Sequence, residues 1–189
     1  MEILVTRHGQ TDWNALGKIQ GQTDIELNDV GRQQAEEMGK LIENENINLI
    51  ITSPLKRAKE TAQIINKKFN VKIIEDLRLI ERNFGQSEGL TKNDTRQLKV
   101  NNLEINDIWN YNKNIEFNGM ETMYDFCNRI YEFLDDVTKR YEDKNILLVT
   151  HGGVSVPIKY YFMKEPLENF VDRDNIKGIK NCEIIKFKI

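Results

Sequence analysis

The chain has 189 residues, enough to bury a real hydrophobic core in one domain and too few to suggest several. With 30% charged residues, 39% hydrophobic residues and a formal net charge of −3, it reads as a globular chain with no broad cationic surface for nucleic acid or an anionic membrane. Its apolar runs are too short to cross a bilayer, and its first residues do not have the form of a secretory leader, so neither membrane nor export is expected.

Ile3–Thr6 reads as a short buried strand. Asp29 to Glu43 has the spacing of an amphipathic helix, with Val30, Ala35, Met38, Leu41 and Ile42 near one face and Asn28 or Asp29 suited to the N-cap. Asn48–Thr52 reads as a second strand, and Ser53-Pro54 suits the start of a helix running from Leu55 to Phe69. Val71–Glu75 follows as a third strand. Residues 90–120 fit neither period and are expected to form an insertion or cap over one end of the sheet. Thr122–Tyr141 carries Met123, Phe126, Ile130, Phe133, Leu134 and Val137 at helical spacing. Asn145–Thr150 is a fourth strand, and Glu183–Ile189 alternates as an edge strand should. Strands separated by long helices imply an α/β fold whose sheet is mixed and mostly parallel, flanked by helices on both faces. With no linker-like tract, residues 1–189 are expected to form a single domain.

The chain contains only two histidines. Each ends an apolar strand and each is followed by glycine, as VTRHGQ and VTHGG. The carboxyl ends of the strands are where ligands bind in an open α/β sheet. Gly9 and Gly152-Gly153 are expected to turn the chain sharply and bring backbone N–H groups close to a ligand. The run SPLKRAKETA places Arg57 about one turn into the next helix. Arg7, Arg57 and the N–H groups of a helix start would form an anion pocket. Two imidazoles beside two guanidiniums point to a phosphoryl group. A metal would call for carboxylate or thiolate ligands and would be repelled by the arginines.

Arginines beside a histidine disfavour its protonated form, so a neutral imidazole at physiological pH is expected, which is a competent nucleophile toward phosphorus. The leaving alkoxide then needs a proton and the attacking water a base, and one carboxyl group can serve both. The stretch LRLIERNFGQSEG offers Glu81 and Glu88, and the residues by themselves do not choose between them.

RHGQTDWN at 7–14, IQGQTDIELNDVGRQQAEEMG at 19–39, SPLKRAKETA at 53–62, ERNFGQSEG at 81–89 and THGG at 150–153 together resemble the histidine phosphatase superfamily, in its phosphoglycerate-mutase-like branch. The resemblance implies that His8 is the phosphorylated nucleophile and that Arg7, Arg57 and His151 hold the phosphoryl group. It implies that Asn14 contacts that group too, and that Gln20, Gly21 and Gly152 lie against the substrate. It assigns the proton donor to Glu81 and a structural turn to Glu88-Gly89. It implies a small-molecule phosphomonoester as the partner, and no cofactor or metal.

The branch holds phosphatases and mutases. Mutases resembling this chain carry extra arginines after the ERxYG motif. Here that segment has Arg96 but no Arg-Arg pair, and Phe84 stands where the mutases have tyrosine. A phosphatase is therefore expected. A phosphoglycerate mutase and a catalytically silent phospho-ligand module are the alternatives. Trp109, Tyr111, Phe84 and Phe117 could form an aromatic wall for a bulky alcohol. NGMET at 118–122 departs from the Pro-Gly-Glu-Ser-like run of many relatives, although Glu121 can still line or cap the site. Cys127 and Cys182 fit no disulfide or metal spacing and are expected to be separate small apolar side chains, in keeping with a cytoplasmic location. Nothing in the sequence chooses between a monomer and a homodimer.

Overall fold

The computed structural model describes residues 1–91, 94, 108–117, 119–170 and 177–189. Arg96, most of the 90–120 segment and Asn118 of the NGMET run lie outside them.

Five strands form one sheet: β1 (Glu2–Arg7), β2 (Leu49–Thr52), β3 (Lys72–Glu75), β4 (Ile146–Thr150) and β5 (Ile184–Lys188), in the order β3-β2-β4-β1-β5. The first four are mutually parallel, and β5 closes one edge antiparallel to β1. This is the mixed, mostly parallel sheet that the sequence led us to expect.

Among the described residues five α-helices accompany them: α1 (Asp12–Ala15), α2 (Asp29–Leu41), α3 (Lys56–Asn66), α4 (Met123–Arg140) and α5 (Ser155–Met163). Side-chain alternation along the strands separates two cores. Leu4, Ile50, Leu147 and Val149 face α2 and α3, meeting Met38, Ala58, Ala62 and Ile65. Ile3, Val5, Ile51, Ile146 and Leu148 face the opposite way, onto Phe126, Ile130, Phe133 and Leu134 of α4 and Ile158 of α5. The central strands are thus buried on both faces, which is why they read as continuous apolar runs.

Asn28 caps α2 by accepting from the Gly31 N–H. Two side chains expected on the buried face of this helix are exposed: Val30 at 50% and Leu41 at 73%. At 100° per residue they lie roughly 140° and 120° around the helix from Ala35, outside the stripe that the sheet covers. Helix α3 ends at Asn66, short of Phe69, and Asn70 then adopts a left-handed φ of 51°.

Helix α5 was not visible in the sequence. Its segment, SVPIKYYFM, is apolar nearly all round and carries Pro157, so no amphipathic stripe marks it. The proline sits in the first turn, where its missing N–H costs no helical hydrogen bond.

The expected aromatic wall is divided. Phe84 and Phe117 are buried with Ile108 and Met120 in a third cluster, and Trp109 packs against it. Tyr111 joins the main core instead, with its ring 5.5 Å from Tyr124. Cys127 is buried, Cys182 is half-buried, and neither is in a disulfide.

Helix α4 fills the larger core, and Phe133 in its middle is fully buried. Truncating a buried phenylalanine removes transfer free energy and leaves a cavity. Phe133→Ala is therefore expected to lower stability by about 3–5 kcal/mol, read as a shift in the urea midpoint at unchanged slope.

Candidate active site

The site is built by strand register. Arg7 of β1 pairs with Thr150 of β4, and Thr52 of β2 pairs with Val149. The ladder continues for one residue past each end: His8 N–H donates to Thr150 C=O at 2.9 Å, and Ser53 N–H to Val149 C=O at 3.0 Å. The residues that follow the strands, His8, His151 and Ser53, are thereby brought side by side. The two imidazole centroids lie 5.2 Å apart, tilted by 59°. The sequence expectation that both histidines share one sheet edge holds.

His8 Nδ1 lies 2.7 Å from the Gly9 carbonyl oxygen. A carbonyl can only accept, so Nδ1 carries the proton and Nε2 keeps the lone pair. His151 Nε2 lies 2.8 Å from Ser53 Oγ. That hydroxyl also accepts from Leu55 N–H at 3.4 Å. His151 Nδ1 is buried and has no protein partner.

Both rings are buried and both are held well below the ordinary imidazole value. Burial is the first cause in each. For His8 the charges of Arg7 and Arg57 add to it. For His151 Arg57, His8, Arg7 and Arg129 add to it. The sequence pointed to the arginines; in the folded chain, loss of hydration outweighs them.

Arg57 is fully buried and its pKa is lowered by burial to about 10. Its Nη1 donates to Thr23 C=O at 2.8 Å and its Nη2 to Gly21 C=O at 2.6 Å, so the fork is occupied in holding the Gly21–Thr23 loop. Its Nε is buried without a protein partner, as is Arg7 Nε. Arg7 Nη1 reaches the Ile179 carbonyl at 3.4 Å. Two guanidinium N–H groups and one imidazole nitrogen are thus left unsatisfied around His8, which is costly unless an acceptor enters. The helix start contributes less than expected, because the Lys56 N–H is taken by Asp24 Oδ1 at 2.8 Å.

The two carboxylates separate clearly. Glu81 lies at the site: its Oε2 accepts from Gly153 N–H and its Oε1 from Arg82 N–H, both at 2.9 Å, and its charge acts on Arg7 and Arg57. Glu88 accepts from the backbone N–H groups of Gln22, Thr23 and Phe84, which ties two loops together. Gly21 has a φ of 53° and a Cβ there would collide with the Glu88 carboxylate at 2.0 Å.

The glycines beside the histidines serve differently from what the sequence suggested. Gly9, Gly152 and Gly153 do not adopt positive φ. The Gly9 N–H donates to Thr61 Oγ1 and the Gly153 N–H to Glu81, so neither is presented to a ligand. Small size is what these positions need: a Cβ on Gly153 would sit 2.4 Å from Glu81 Oε1. Gly152 lies under Arg7, where a Cβ would meet the guanidinium carbon at 3.3 Å.

Asn14 lies at the end of a capping box with Thr11, and its Oδ1 accepts from Thr11 N–H and from Asn181 Nδ2. Gln20 is buried with Oε1 lacking a partner, and Gly21 is held by Arg57. Residues the sequence reading missed surround these. Ser53 orients His151. Arg129 binds both oxygens of Glu121, at 2.6 and 3.0 Å, and donates to the Glu81 carbonyl at 3.2 Å, so the pair steadies the Glu81 backbone. The Ser53–His151 and Arg129–Glu81 contacts join positions tens of residues apart, and no local pattern announces them. Among the described residues no group of three or more His, Cys, Asp or Glu is placed to hold a metal.

A sequence profile of the histidine phosphatase superfamily (branch 1) matches residues 3–189. The chain belongs to that superfamily. Together with its likeness to the phosphatases that follow, this membership makes the protein a phosphoric monoester hydrolase. It is 37% identical to the uncharacterized phosphatase PhoE of Bacillus subtilis (strain 168), over 80% of this chain and 72% of that protein. It is 35% identical to a metal-independent phosphoserine phosphatase of Arabidopsis thaliana, over 81% of this chain and 65% of the relative. The structure of a mycobacterial glucosyl-3-phosphoglycerate phosphatase in complex with VO3 superposes with a TM-score of 0.84 at 26% identity, covering 98% of this chain and 90% of that one.

The two buried neutral imidazoles make stability depend on pH in a defined direction. Below about pH 6.5 the unfolded chain binds protons at both histidines while the folded chain does not, so the folded state loses stability as pH falls from there toward the lowered folded-state values. The melting temperature is expected to drop between pH 7.5 and 5.5, a range in which ordinary carboxylates stay charged. In His8→Gln the drop should shrink toward that of a single imidazole. An unchanged pH slope in the variant would contradict a buried neutral His8.

Proposed function

We propose that this protein hydrolyses a small phosphorylated metabolite through a phosphohistidine intermediate at His8, with no metal or other cofactor. The observation that carries the reading is the tautomer of His8. With Nδ1–H spent on the Gly9 carbonyl, the lone pair on Nε2 is available to attack, in a pocket where Arg7 Nε, Arg57 Nε and His151 Nδ1 lack protein partners.

In the first step His8 Nε2 bonds to phosphorus as the bond to the leaving oxygen breaks, and Glu81, which enters this step in its protonated form, delivers its proton to that oxygen. In the second, water attacks phosphorus, Glu81 takes its proton, the phosphorus–nitrogen bond breaks and His8 returns to its neutral form. Arg7, Arg57 and His151 stabilise the charge spread over the equatorial oxygens. Asn14 donates to the same group, and Gln20, Gly21 and Gly152 lie against the substrate. Two guanidiniums are already charged and anchored on backbone carbonyls before the substrate arrives, so little reorganisation is needed during the reaction.

The metal-independent and phosphoserine-directed relative supports both the cofactor assignment and a small anionic substrate. Hydrolysis is favoured over phosphoryl return to a bound phosphoglycerate, because Phe84 is buried in an apolar cluster and offers no hydroxyl. We read residues 1–189 as one domain, which the profile match over 3–189 supports. Two free thiols suit a cytoplasmic location.

His8→Ala is expected to cut phosphate release from p-nitrophenyl phosphate by about 10⁴-fold or more, with an unchanged circular dichroism spectrum. Wild-type activity should persist in EDTA, and quenching during turnover should trap an acid-labile phosphoryl group on His8. Near-normal turnover by His8→Ala rejects the assignment. A second assay, with 3-phosphoglycerate and a trace of bisphosphoglycerate, should yield free phosphate; 2-phosphoglycerate as the main product would make the protein a mutase.

A further inference from the structure

The segment before β5 returns alongside β1 and grips the site from the third side. Asn181 forms an isolated parallel bridge with Arg7, and the Cys182 N–H donates to the Arg7 carbonyl at 3.0 Å. Cys182 then takes a φ of 50°, a left-handed conformation in a non-glycine residue, which costs on the order of 1 kcal/mol and turns the chain into β5. Strain of that kind persists where surrounding contacts over-determine it.

We propose that Asn181 is a positioning residue for phosphoryl transfer, acting through the His8–Gly9 peptide and the Asn14 amide; the role rests on the phosphohistidine reading. Asn181 Nδ2 donates to the His8 carbonyl at 2.8 Å and lies 3.3 Å from Asn14 Oδ1.

The first contact sets a peptide plane. The His8 carbonyl and the Gly9 N–H belong to one planar unit. Asn181 holds one end of it and Thr61 Oγ1 holds the other, at 3.0 Å from Gly9 N. The orientation of that unit governs where the next carbonyl, that of Gly9, points. The Gly9 carbonyl is what keeps the proton on His8 Nδ1 and the lone pair on Nε2. Releasing the plane frees both the ring's orientation and its tautomer.

The second contact sets an amide flip. Asn14 Oδ1 has three donors around it: Thr11 N–H and Thr11 Oγ1, both at 3.2 Å, and Asn181 Nδ2. An amide with its oxygen so engaged presents Nδ2, a pure donor, at its other end. That is the end a phosphoryl oxygen requires. With Asn181 removed, the penalty for turning the amide over falls.

The test is single-turnover phosphorylation of His8 with p-nitrophenyl phosphate, in a cycle of Asn181→Ala, Asn14→Ala and the double variant. Misplacing a reacting group by about 1 Å costs on the order of 10²-fold, so Asn181→Ala is expected to slow phosphorylation by roughly 10- to 100-fold with its melting temperature nearly kept. The double variant should lose less than the product of the two single losses, by about tenfold, because both substitutions disable one device. Asn181→Asp keeps the shape without the donor and should show the same coupling, which covers the case in which alanine fails to fold. Phosphorylation within about twofold of wild type in both Asn181 variants overturns the proposal, and so do strictly multiplicative losses. A wild-type enzyme that never labels at His8 overturns the phosphohistidine reading and this role with it, whereas normal wild-type labelling beside unaffected Asn181 variants overturns this role alone.

Discussion

Everything at the site depends on the parallel register between β1, β4 and β2. A slip of one residue in any of these strands would carry its side chains to the other face of the sheet. The register is specified because both faces are buried: Leu4 and Leu147 must meet one helical layer, and Ile3, Val5 and Leu148 the other. The same packing that makes the core therefore makes the two strand ends level. His8 and His151 need no dedicated scaffold; each is the next residue after a pair that the core has already matched.

The second constraint is electrostatic. The pocket buries guanidinium groups that burial itself disfavours, with Arg57 lowered to about 10. Backbone carbonyls absorb part of the charge, chiefly those of Gly21 and Thr23. Arg7 Nε and Arg57 Nε are left without protein partners, and both charges act on a neutral imidazole. Under the proposed function a phosphoryl dianion would satisfy them, because hydrogen bonds to ionised groups are stronger than neutral ones. Neutral imidazoles and permanent cations are compatible here because burial and like charge act in the same direction on the histidines.

Loops complete the site, and each is tied down from two sides. Gly21 and Thr23 are held by Arg57, and the segment from Gln22 is also gripped by Glu88. The Glu81 backbone is steadied by Arg129 and its carboxylate by Gly153. The 179–182 segment closes on Arg7 and His8. Rigid mounting of this kind suits phosphoryl transfer, where positioning and fixed charge supply most of the acceleration.

The sequence by itself determined the elements with a strong local signature. Apolar runs ending in histidine revealed the strands of the site, and the stripe of Phe126, Ile130, Phe133 and Val137 revealed α4, because hydrophobic period is a property of neighbouring residues. The motif set also carried the family, and it named His8, Arg7, Arg57 and His151, which the fold brings together. Helix α5 escaped, since a helix apolar on nearly every side has no period to read. Val30 and Leu41 were expected inside and lie outside, because a helix sequence does not state how wide a stripe its sheet will cover. Only the packed fold settled the role of Gly153 as room for Glu81 and the convergence of Asn181 on Asn14 and His8. Each of these is a contact between residues far apart in the chain. Such contacts are chosen by the geometry of the packed sheet, which no stretch of neighbouring residues encodes.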